Sequence, residues 1–301
     1  LMRPTDWPTS KSVTQTSAPN ILTLSLWVLL GLTFVAQGGG ILRRNANWDE
    51  FLFLTNVYRY VRGESIQILQ TAYVHLFGWL PSVGETELDQ IIAARSLYLL
   101  LWVLSLVLLY RLGRRVIDPF GALAAVVLFA AFSYSVAHAV SFRIDGLLLP
   151  VLLGHVLLLA DPTPKRVIGA GALFGVAVVL SIKAALWAPL SGLLLVWWIR
   201  EKGTTWTLAI GSVAAGLFVA GFLLFLHWML TSTPTEAAPA AASTSLAVRQ
   251  VRGLAPIFLY MFLEQGLFPR SVFVIQAAMA NLITVSLLVV GLTIPLPDVR
   301  S

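Results

Sequence analysis

The sequence contains no cysteine and very little charge. None of its 301 residues is cysteine and only 11% are Asp, Glu, Lys or Arg, whereas about a quarter of the residues in a soluble domain are charged. The absence of cysteine excludes disulfide bonds, thiol catalysis and cysteine-ligated metal centres. The shortage of charge, together with a hydrophobic fraction of 58% and a mean hydropathy of +0.84, excludes a soluble globular domain. The composition therefore predicts a polytopic membrane protein.

Histidine is also scarce, and the basic residues form no cluster. The four histidines, His75, His138, His155 and His227, are widely spaced in the sequence and do not show the paired spacing of metal ligands. Their positions are typical of packed or interfacial side chains. The net charge of +6 does not indicate binding to nucleic acid, because the lysines and arginines are scattered between apolar segments.

Long apolar runs dominate the chain. A helix needs about 20 apolar residues to cross the hydrocarbon core of a bilayer. The runs predict an all-α bundle of about eight transmembrane helices, at residues 21–37, 91–110, 119–140, 146–160, 206–230 and 272–295, with two short helices within residues 167–199. This last run contains one charge, Lys183, near its midpoint, where we expect the turn between the two helices.

The spans divide the chain into four parts. Residues 1–20 form a polar N-terminal tail, and residues 21–230 form the transmembrane core, which includes a first outer loop at residues 38–90. Residues 231–271 combine a flexible loop, rich in Ala, Thr, Ser and Pro, with an interfacial segment. Residues 272–301 form the last helix and a tail.

The first outer loop contains two adjacent carboxylates, Asp49 and Glu50. Asn47 stands three residues before Glu50, the spacing of a helix N-cap and its capping-box partner, so the pair has a structural interpretation beside a catalytic one. From Glu50 to Gly63 the apolar residues share one helical face, which predicts an amphipathic helix along the membrane surface. Glu50 lies on that apolar face, and Asp49 is turned about 100° from it. A second short amphipathic stretch is predicted at residues 66–80.

The basic residues predict the orientation of the bundle, because short loops rich in Lys and Arg face the cytoplasm. The short loops on the side of the N-terminus contain Arg111, Arg114, Arg115, Lys165, Arg166, Arg200 and Lys202. Those on the other side contain only Arg143 and Lys183. The N-terminal tail is therefore predicted to be cytoplasmic.

With this alternation, charged residues from separate segments meet on the non-cytoplasmic side of the bundle. They are Asp49, Glu50, Arg95, Arg143, Asp145 and Lys183. Because a charge within a span costs roughly 2.5–3.5 kcal/mol, charges near membrane depth usually pair or line a polar cavity. We expect a site for an anionic lipid headgroup here. Simpler interpretations stay open, in which Arg143 extends to the interface, Asp145 caps a helix and Lys183 occupies a turn.

The order of these residues resembles that of a known family. The motifs are Trp48-Asp49-Glu50-Phe51, Ala94-Arg95-Ser96-Leu97, Leu112-Gly113-Arg114-Arg115, Phe142-Arg143-Ile144-Asp145 and Leu180-Ser181-Ile182-Lys183. Over residues 21–200 the chain resembles the GT-C membrane glycosyltransferases. Within them, it is similar to the branch that contains the protein O-mannosyltransferases and the lipid A aminoarabinose transferase.

The resemblance implies an inverting transferase that takes a sugar from a polyprenyl-phosphate lipid, in a bacterial inner membrane with a periplasmic active site. Asp49 would be the catalytic base, and Glu50 would support it or orient the acceptor. The cations that would stabilise the leaving phosphate are Arg95, Arg143 and Lys183. Asp145 would hold Arg143 or contact the sugar. No cofactor is required, although a carboxylate-bound divalent cation stays open.

The chain departs from the family in its length. Members of that branch usually have more spans and a soluble C-terminal domain. The chain is therefore expected to be a fragment, a short relative, or a scaffold subunit that has lost catalysis and packs against other membrane subunits of a larger complex. A transporter is disfavoured, because a midplane binding site needs polar residues and these spans contain almost none.

Overall fold

A computed structural model describes residues 21–160, 163–202 and 206–232 of the chain. The regular elements in these ranges are all helices, which confirms the predicted helical membrane bundle. The predictions for the N-terminal tail, for the loop and interfacial segment beyond residue 232, and for the last transmembrane helix lie outside the described residues.

Ten α-helices make up the described part of the chain. They are α1 (Ile21–Arg43), α2 (Trp48–Val61), α3 (Val74–Phe77), α4 (Glu87–Gly113), α5 (Pro119–Ala131), α6 (Ser133–His138), α7 (Ile144–Ala160), α8 (Pro164–Leu180), α9 (Ala188–Lys202) and α10 (Trp206–Thr231). Two 3₁₀ helices span Leu80–Ser82 and Ile182–Trp187. We call the end of the bundle at which α1 ends and α4 begins the loop end, because it carries residues 44–86.

Four of the described helical segments are long and apolar enough to cross a membrane. They are Ile21–Arg43, Glu87–Gly113, Ile182–Arg200 and Trp206–Thr231. Helices α5, α7 and α8 occupy the other predicted spans and are shorter, with 13, 17 and 17 residues. The turn predicted near Lys183 is confirmed, since α8 ends at Leu180 and a 3₁₀ helix follows.

The predicted span at residues 119–140 is wrong as a single helix. Helix α5 ends at Ala131, Phe132 has extended backbone, and α6 begins at Ser133. The break turns backbone carbonyls of α6 towards α1, where the buried Gln37 side chain donates to Ser135 O and Val136 O at 3.1 and 3.2 Å. These hydrogen bonds connect α6 to α1, and Ser135 O also accepts from Ala139 N at 2.9 Å.

The loop after α2 is packed into the bundle instead of lying at the interface. Residues 66–79 contain the short α3 and turns, and Leu80 begins a 3₁₀ helix, so the predicted second amphipathic stretch does not form one continuous helix. Phe77 is fully buried and packs on Tyr98 and Phe142, with ring centroids 5.9 and 4.9 Å away. Tyr73 is also buried and accepts a 3.1 Å hydrogen bond from Asn56. Aromatic packing against α4 outweighs the amphipathic pattern here.

Helix α2 is amphipathic, as predicted, but its apolar face meets protein. Leu54 and Val57 are buried in the core of the loop end, together with residues of α3 and α4. Val61 belongs to the same predicted face and is 51% exposed, because it is the last residue of the helix. The helix therefore positions its first turn, with Asp49 and Glu50, against the bundle.

Close contact between α8 and α10 depends on glycine. An added Cβ at Gly175 would meet the backbone oxygen of Gly216, and one at Gly171 would meet the backbone of Ser212. Ser212 Oγ also donates to Val167 O at 2.8 Å. Small residues that let backbones approach are the usual means of packing helices where lipid removes the hydrophobic driving force.

The α8–α10 contact gives a stability prediction. Gly175→Ala is expected to lower stability by about 1–3 kcal/mol, because the added methyl group must displace the α10 backbone. The measurement is the thermal unfolding midpoint of the detergent-solubilised protein. Gly192→Ala is the control, since a Cβ at that position of α9 meets nothing within 4 Å. Equal midpoints for the two variants would contradict the prediction.

Candidate functional site

A buried ion pair between Glu50 and Arg95 lies at the centre of the loop end. The two side chains are 0% and 1% exposed. Arg95 Nε donates to Glu50 Oε1 at 2.8 Å and Arg95 Nη2 donates to Glu50 Oε2 at 2.6 Å. This two-point contact is the strongest geometry for an arginine and a carboxylate.

The remaining donors of Arg95 bind the chain between α1 and α2. Nη1 donates to Ile41 O at 3.1 Å and to Arg44 O at 2.8 Å, and Nη2 donates to Asn45 O at 3.1 Å. A guanidinium has five N–H donors, and in Arg95 all of them are used within the protein. Arg95 therefore connects α4 to the end of α1 and to the start of α2.

Glu50 has a matching set of donors. It forms the predicted capping box with Asn47, because Asn47 N donates to Glu50 Oε2 and Glu50 N donates to Asn47 Oδ1, both at 3.0 Å. Phe142 N also donates to Glu50 Oε1 at 2.9 Å. The structural interpretation of Glu50 as a capping-box partner is thus confirmed, and the same carboxylate also pairs with Arg95.

Burial and hydrogen bonding act in opposite directions on Glu50. Burial raises the pKa of its carboxyl, whereas the bonds from Arg95, Phe142 N and Asn47 N lower the pKa and outweigh burial. The pKa therefore lies below its ordinary value. Glu50 is therefore ionised at neutral pH and has no proton to donate to a substrate.

The Glu50–Phe142 hydrogen bond brings two chain neighbours together. Asp49 precedes Glu50 and Arg143 follows Phe142, so the bond places their side chains side by side at the surface. Arg143 Nη2 lies 3.1 Å from Asp49 Oδ2. The buried pair thus determines the position of the exposed one.

Four predicted site residues form a continuous run of ion pairs, which we call the ion-pair chain. Arg143 Nη2 lies 3.1 Å from Asp49 Oδ2 and 3.8 Å from Asp145 Oδ2. Lys183 Nζ donates to Asp145 Oδ1 at 2.7 Å. The Asp49 carboxylate is 42% exposed, and the other three are partly exposed. Carboxylates and cations alternate along the ion-pair chain, so each charged group has an oppositely charged group within contact distance.

Local structure presents Lys183 to Asp145. Helix α8 ends at Leu180, and Ser181 Oγ accepts a 3.3 Å hydrogen bond from Lys183 N at the start of the 3₁₀ helix. The turn interpretation and the binding interpretation of Lys183 are therefore compatible. Asp145 lies in the first turn of α7, where its charge also favours the helix dipole.

A cavity of about 250 Å³ opens beside the ion-pair chain, and Arg143 and Asp145 line it. Trp102, Ser135 and His138 contribute to its other walls. The Nε hydrogen of Arg143 and the indole N–H of Trp102 are buried, and neither has an acceptor among the described residues. Buried donors are normally bonded, so these two are unsatisfied donors on residues that line the cavity. Sequence reasoning missed Trp102, which looks like any apolar residue of a span.

The structure also joins two histidines that are distant in the sequence. His75 Nε2, in the loop, lies 2.7 Å from His227 Nδ1, in α10, and Thr71 Oγ1 lies 3.0 Å from His227 Nε2. His155 lies 2.8 Å from both Ala170 O and Ser191 Oγ. His155 and His227 are therefore packed inside the protein, as the sequence analysis expects. Within the described residues, no group of three or more His, Asp or Glu side chains has the arrangement of a metal site.

The buried pair gives a second stability prediction. Glu50→Gln is expected to cost roughly 3–5 kcal/mol, because it leaves the Arg95 charge buried without its partner. Glu64→Gln is the control on the same loop. The Glu64 carboxylate pairs with Arg59 at 3.5 Å and is 46% exposed, so its loss should cost under about 1 kcal/mol. Thermal unfolding of both variants in one detergent measures the difference, and equal losses would contradict the structural role.

The lowered pKa of Glu50 predicts how this difference depends on pH. A carboxyl with a folded pKa below its ordinary value of 4.5 stabilises the fold above that value and loses its contribution as pH falls through the folded pKa. The gap in unfolding midpoint between wild type and Glu50→Gln should therefore be constant from pH 7 to about 5. It should shrink at lower pH. A gap that is unchanged at pH 3 would show that Glu50 is not the titrating group.

Comparison with known proteins finds a similar fold and no sequence relative. No protein-family model matches the chain, and no curated protein matches it. A solved structure of the S. cerevisiae protein O-mannosyltransferase Pmt1–Pmt2 complex bound to the sugar donor is similar, with a TM-score of 0.54 and 17% sequence identity. The similarity covers 71% of this chain and 34% of that chain, so the protein spans about a third of its length. The chain is therefore similar in fold to part of that protein O-mannosyltransferase structure.

Proposed function

We propose that the chain is a GT-C-type glycosyltransferase that moves a sugar from a polyprenyl-phosphate donor to an acceptor hydroxyl. The observation that carries the proposal is the ion-pair chain of Asp49, Arg143, Asp145 and Lys183, which draws three separate segments together beside a cavity. The similarity in fold to a protein O-mannosyltransferase supports it.

Asp49 is the residue that we assign as catalytic base. A base must come within about 2.6–3.2 Å of the hydroxyl whose proton it takes. The Asp49 carboxylate is 42% exposed, whereas Glu50 is buried and fully occupied by Arg95 and backbone donors. Of the two adjacent carboxylates, only Asp49 is accessible to an acceptor.

The proposed reaction is a single displacement at the anomeric carbon. Asp49 takes the proton of the acceptor hydroxyl while the acceptor oxygen bonds to that carbon. The bond from the carbon to the phosphate oxygen breaks on the opposite face, and its electron pair leaves with the polyprenyl phosphate. The configuration is inverted, and Asp49 later releases its proton to water.

Cations of the ion-pair chain are suited to the leaving phosphate. Arg143 and Lys183 would exchange part of their contact with Asp49 and Asp145 for phosphate oxygens, and so stabilise the charge that develops in the transition state. The buried Nε hydrogen of Arg143 and the indole N–H of Trp102 supply two further donors at the cavity. Asp145 would hold Arg143 and Lys183 in place or accept a hydrogen bond from the sugar.

Arg95 and Glu50 are assigned a positioning role in this proposal. The sequence predicts that Arg95 binds the leaving phosphate and that Glu50 supports Asp49 or orients the acceptor. Those roles stay predictions. Because the guanidinium of Arg95 is 1% exposed and all its donors are used, we favour a role in holding Asp49 against Arg143.

The distribution of basic residues supports transfer at the non-cytoplasmic face, with the N-terminus in the cytoplasm. A bacterial inner membrane enters the proposal through the family resemblance alone. The proposal needs no cofactor, since cations of the protein balance the phosphate. A carboxylate-bound divalent cation is the alternative. Further membrane subunits are compatible with the proposal, and nucleic acid is not a partner in it.

Asp49→Asn tests the proposal. The change is nearly isosteric and removes the base, so sugar transfer from a radiolabelled polyprenyl-phosphate sugar pool should fall about 10²–10⁴-fold. Membranes containing wild type or the variant are compared at equal protein level. Glu64→Gln, an exposed carboxylate change on the same loop, should transfer at the wild-type rate. Wild-type transfer by Asp49→Asn would exclude Asp49 as base.

A catalytically inactive scaffold subunit is the second candidate. The observation that favours it is that Asp49, Asp145 and Lys183 already have charged partners in the protein itself. In that case no donor and acceptor panel would give turnover with the wild type, and the chain would purify in a fixed ratio with other membrane subunits. The same ion pairs would then serve stability alone.

A further inference from the structure

A second, larger cavity lies between α1, α4 and α5, away from the ion-pair chain. Its volume is about 550 Å³, within the range of roughly 300–1,000 Å³ that is usual for small-molecule sites. Apolar and aromatic side chains form nearly all of its lining, among them Trp27, Phe34 and Trp102. Arg111 is the one charged residue among those that line it. We call this cavity the α1–α4 groove.

The α1–α4 groove lies towards the end of the bundle opposite the loop end. Arg111 stands sixteen residues after Arg95 on α4, which is about 24 Å along the helix axis at 1.5 Å per residue. Trp102 lies between these two arginines and lines both the groove and the smaller cavity. The groove therefore extends from Trp102, in the middle of α4, towards Arg111 at the end of the bundle opposite the loop end.

We propose that the α1–α4 groove binds one acyl chain of an anionic glycerophospholipid, with Arg111 contacting the lipid phosphate. The proposal is independent of the transferase activity. It assigns the apolar volume to the lipid tail and the single cation to its headgroup.

Charge complementarity selects this occupant. Arg111 is exposed and makes no hydrogen bond or ion pair with another described residue. It belongs to a cluster with Arg114 and Arg115 at the end of α4, and each such cation near an anionic membrane surface favours anionic lipid. Tyr110 also lines the groove, and tyrosine is typical of the headgroup region. A zwitterionic lipid headgroup would be attracted less strongly to Arg111.

The shape of the groove distinguishes it from an ordinary lipid-facing surface. Gly31 of α1 lines it, and a Cβ added to Gly31 meets nothing within 4 Å. Three helices surround the volume, so a chain lying in it would contact protein on several sides, which a lipid on a convex helix surface does not. The missing side chain at Gly31 keeps this volume open.

Native mass spectrometry of the purified chain tests the proposal. The probes are phosphatidylglycerol and phosphatidylcholine with identical tails. Wild type should retain one phosphatidylglycerol with about fivefold preference, the effect expected from one cation at the headgroup. Gly31→Leu should lose the bound lipid whatever its headgroup, whereas Arg111→Gln should keep lipid but show a clearly smaller preference for phosphatidylglycerol than wild type.

Matched controls separate the groove from general effects. Gly39→Leu adds the same side chain to α1 at another open position outside the groove. Lys165→Gln removes a cation from the start of α8, at the same end of the bundle as Arg111. Both controls should retain lipid as wild type does. Arg111→Gln alters an exposed side chain and is expected to fold normally. It therefore tests the proposal even if Gly31→Leu does not accumulate.

Three results would overturn the proposal. The first is wild-type lipid retention in Gly31→Leu, and the second is an unchanged preference in Arg111→Gln. The third uses the absence of native cysteine. If Gly31→Cys forms a disulfide in high yield with a cysteine introduced within residues 272–295, or with a second copy of the chain, then protein and not lipid occupies the groove.

Discussion

The buried pair of Arg95 and Glu50 is the interaction on which the rest of the loop end depends. Two charges removed from water are tolerated only when their geometry is good and their remaining donors and acceptors are satisfied. Here all five guanidinium donors are used, and the carboxylate also accepts from two backbone N–H groups. The pair therefore ties three segments to α4: the end of α1, the start of α2 and the backbone at Phe142.

This arrangement explains how an exposed site can be ordered on a loop. Asp49 and Arg143 are each the chain neighbour of a residue held by the buried pair, and they meet at 3.1 Å. The break after α5 and the turn after α8 bring Arg143 and Lys183 within reach of Asp145. A rigid interior thus supports a partly exposed run of alternating charges, which would suit the exchange of ion pairs for a phosphate that we propose.

The two ends of the bundle differ in chemistry. A cavity that includes charged and polar side chains in its lining, buried donors and balanced charges lie at the loop end. The α1–α4 groove towards the other end is apolar apart from Arg111. Trp102 lies between them and lines both. Ligand binding at the loop end would depend on hydrogen bonds and charge. Ligand binding in the groove would depend on apolar contact, with one electrostatic contribution from Arg111.

The sequence by itself determined the membrane class, the helical fold, the cap at Asn47 and the turn at Lys183, because hydropathy, helix period and capping are local properties. It also indicated that Asp49, Arg143, Asp145 and Lys183 share one side, through the alternation of spans. Only the tertiary structure decided that Glu50 and Arg95 are buried together and that Tyr73 belongs to the core. It also decided that Trp102 lines a cavity with Arg143 and that His227 contacts His75. Those outcomes depend on packing between segments many residues apart, which no local pattern specifies.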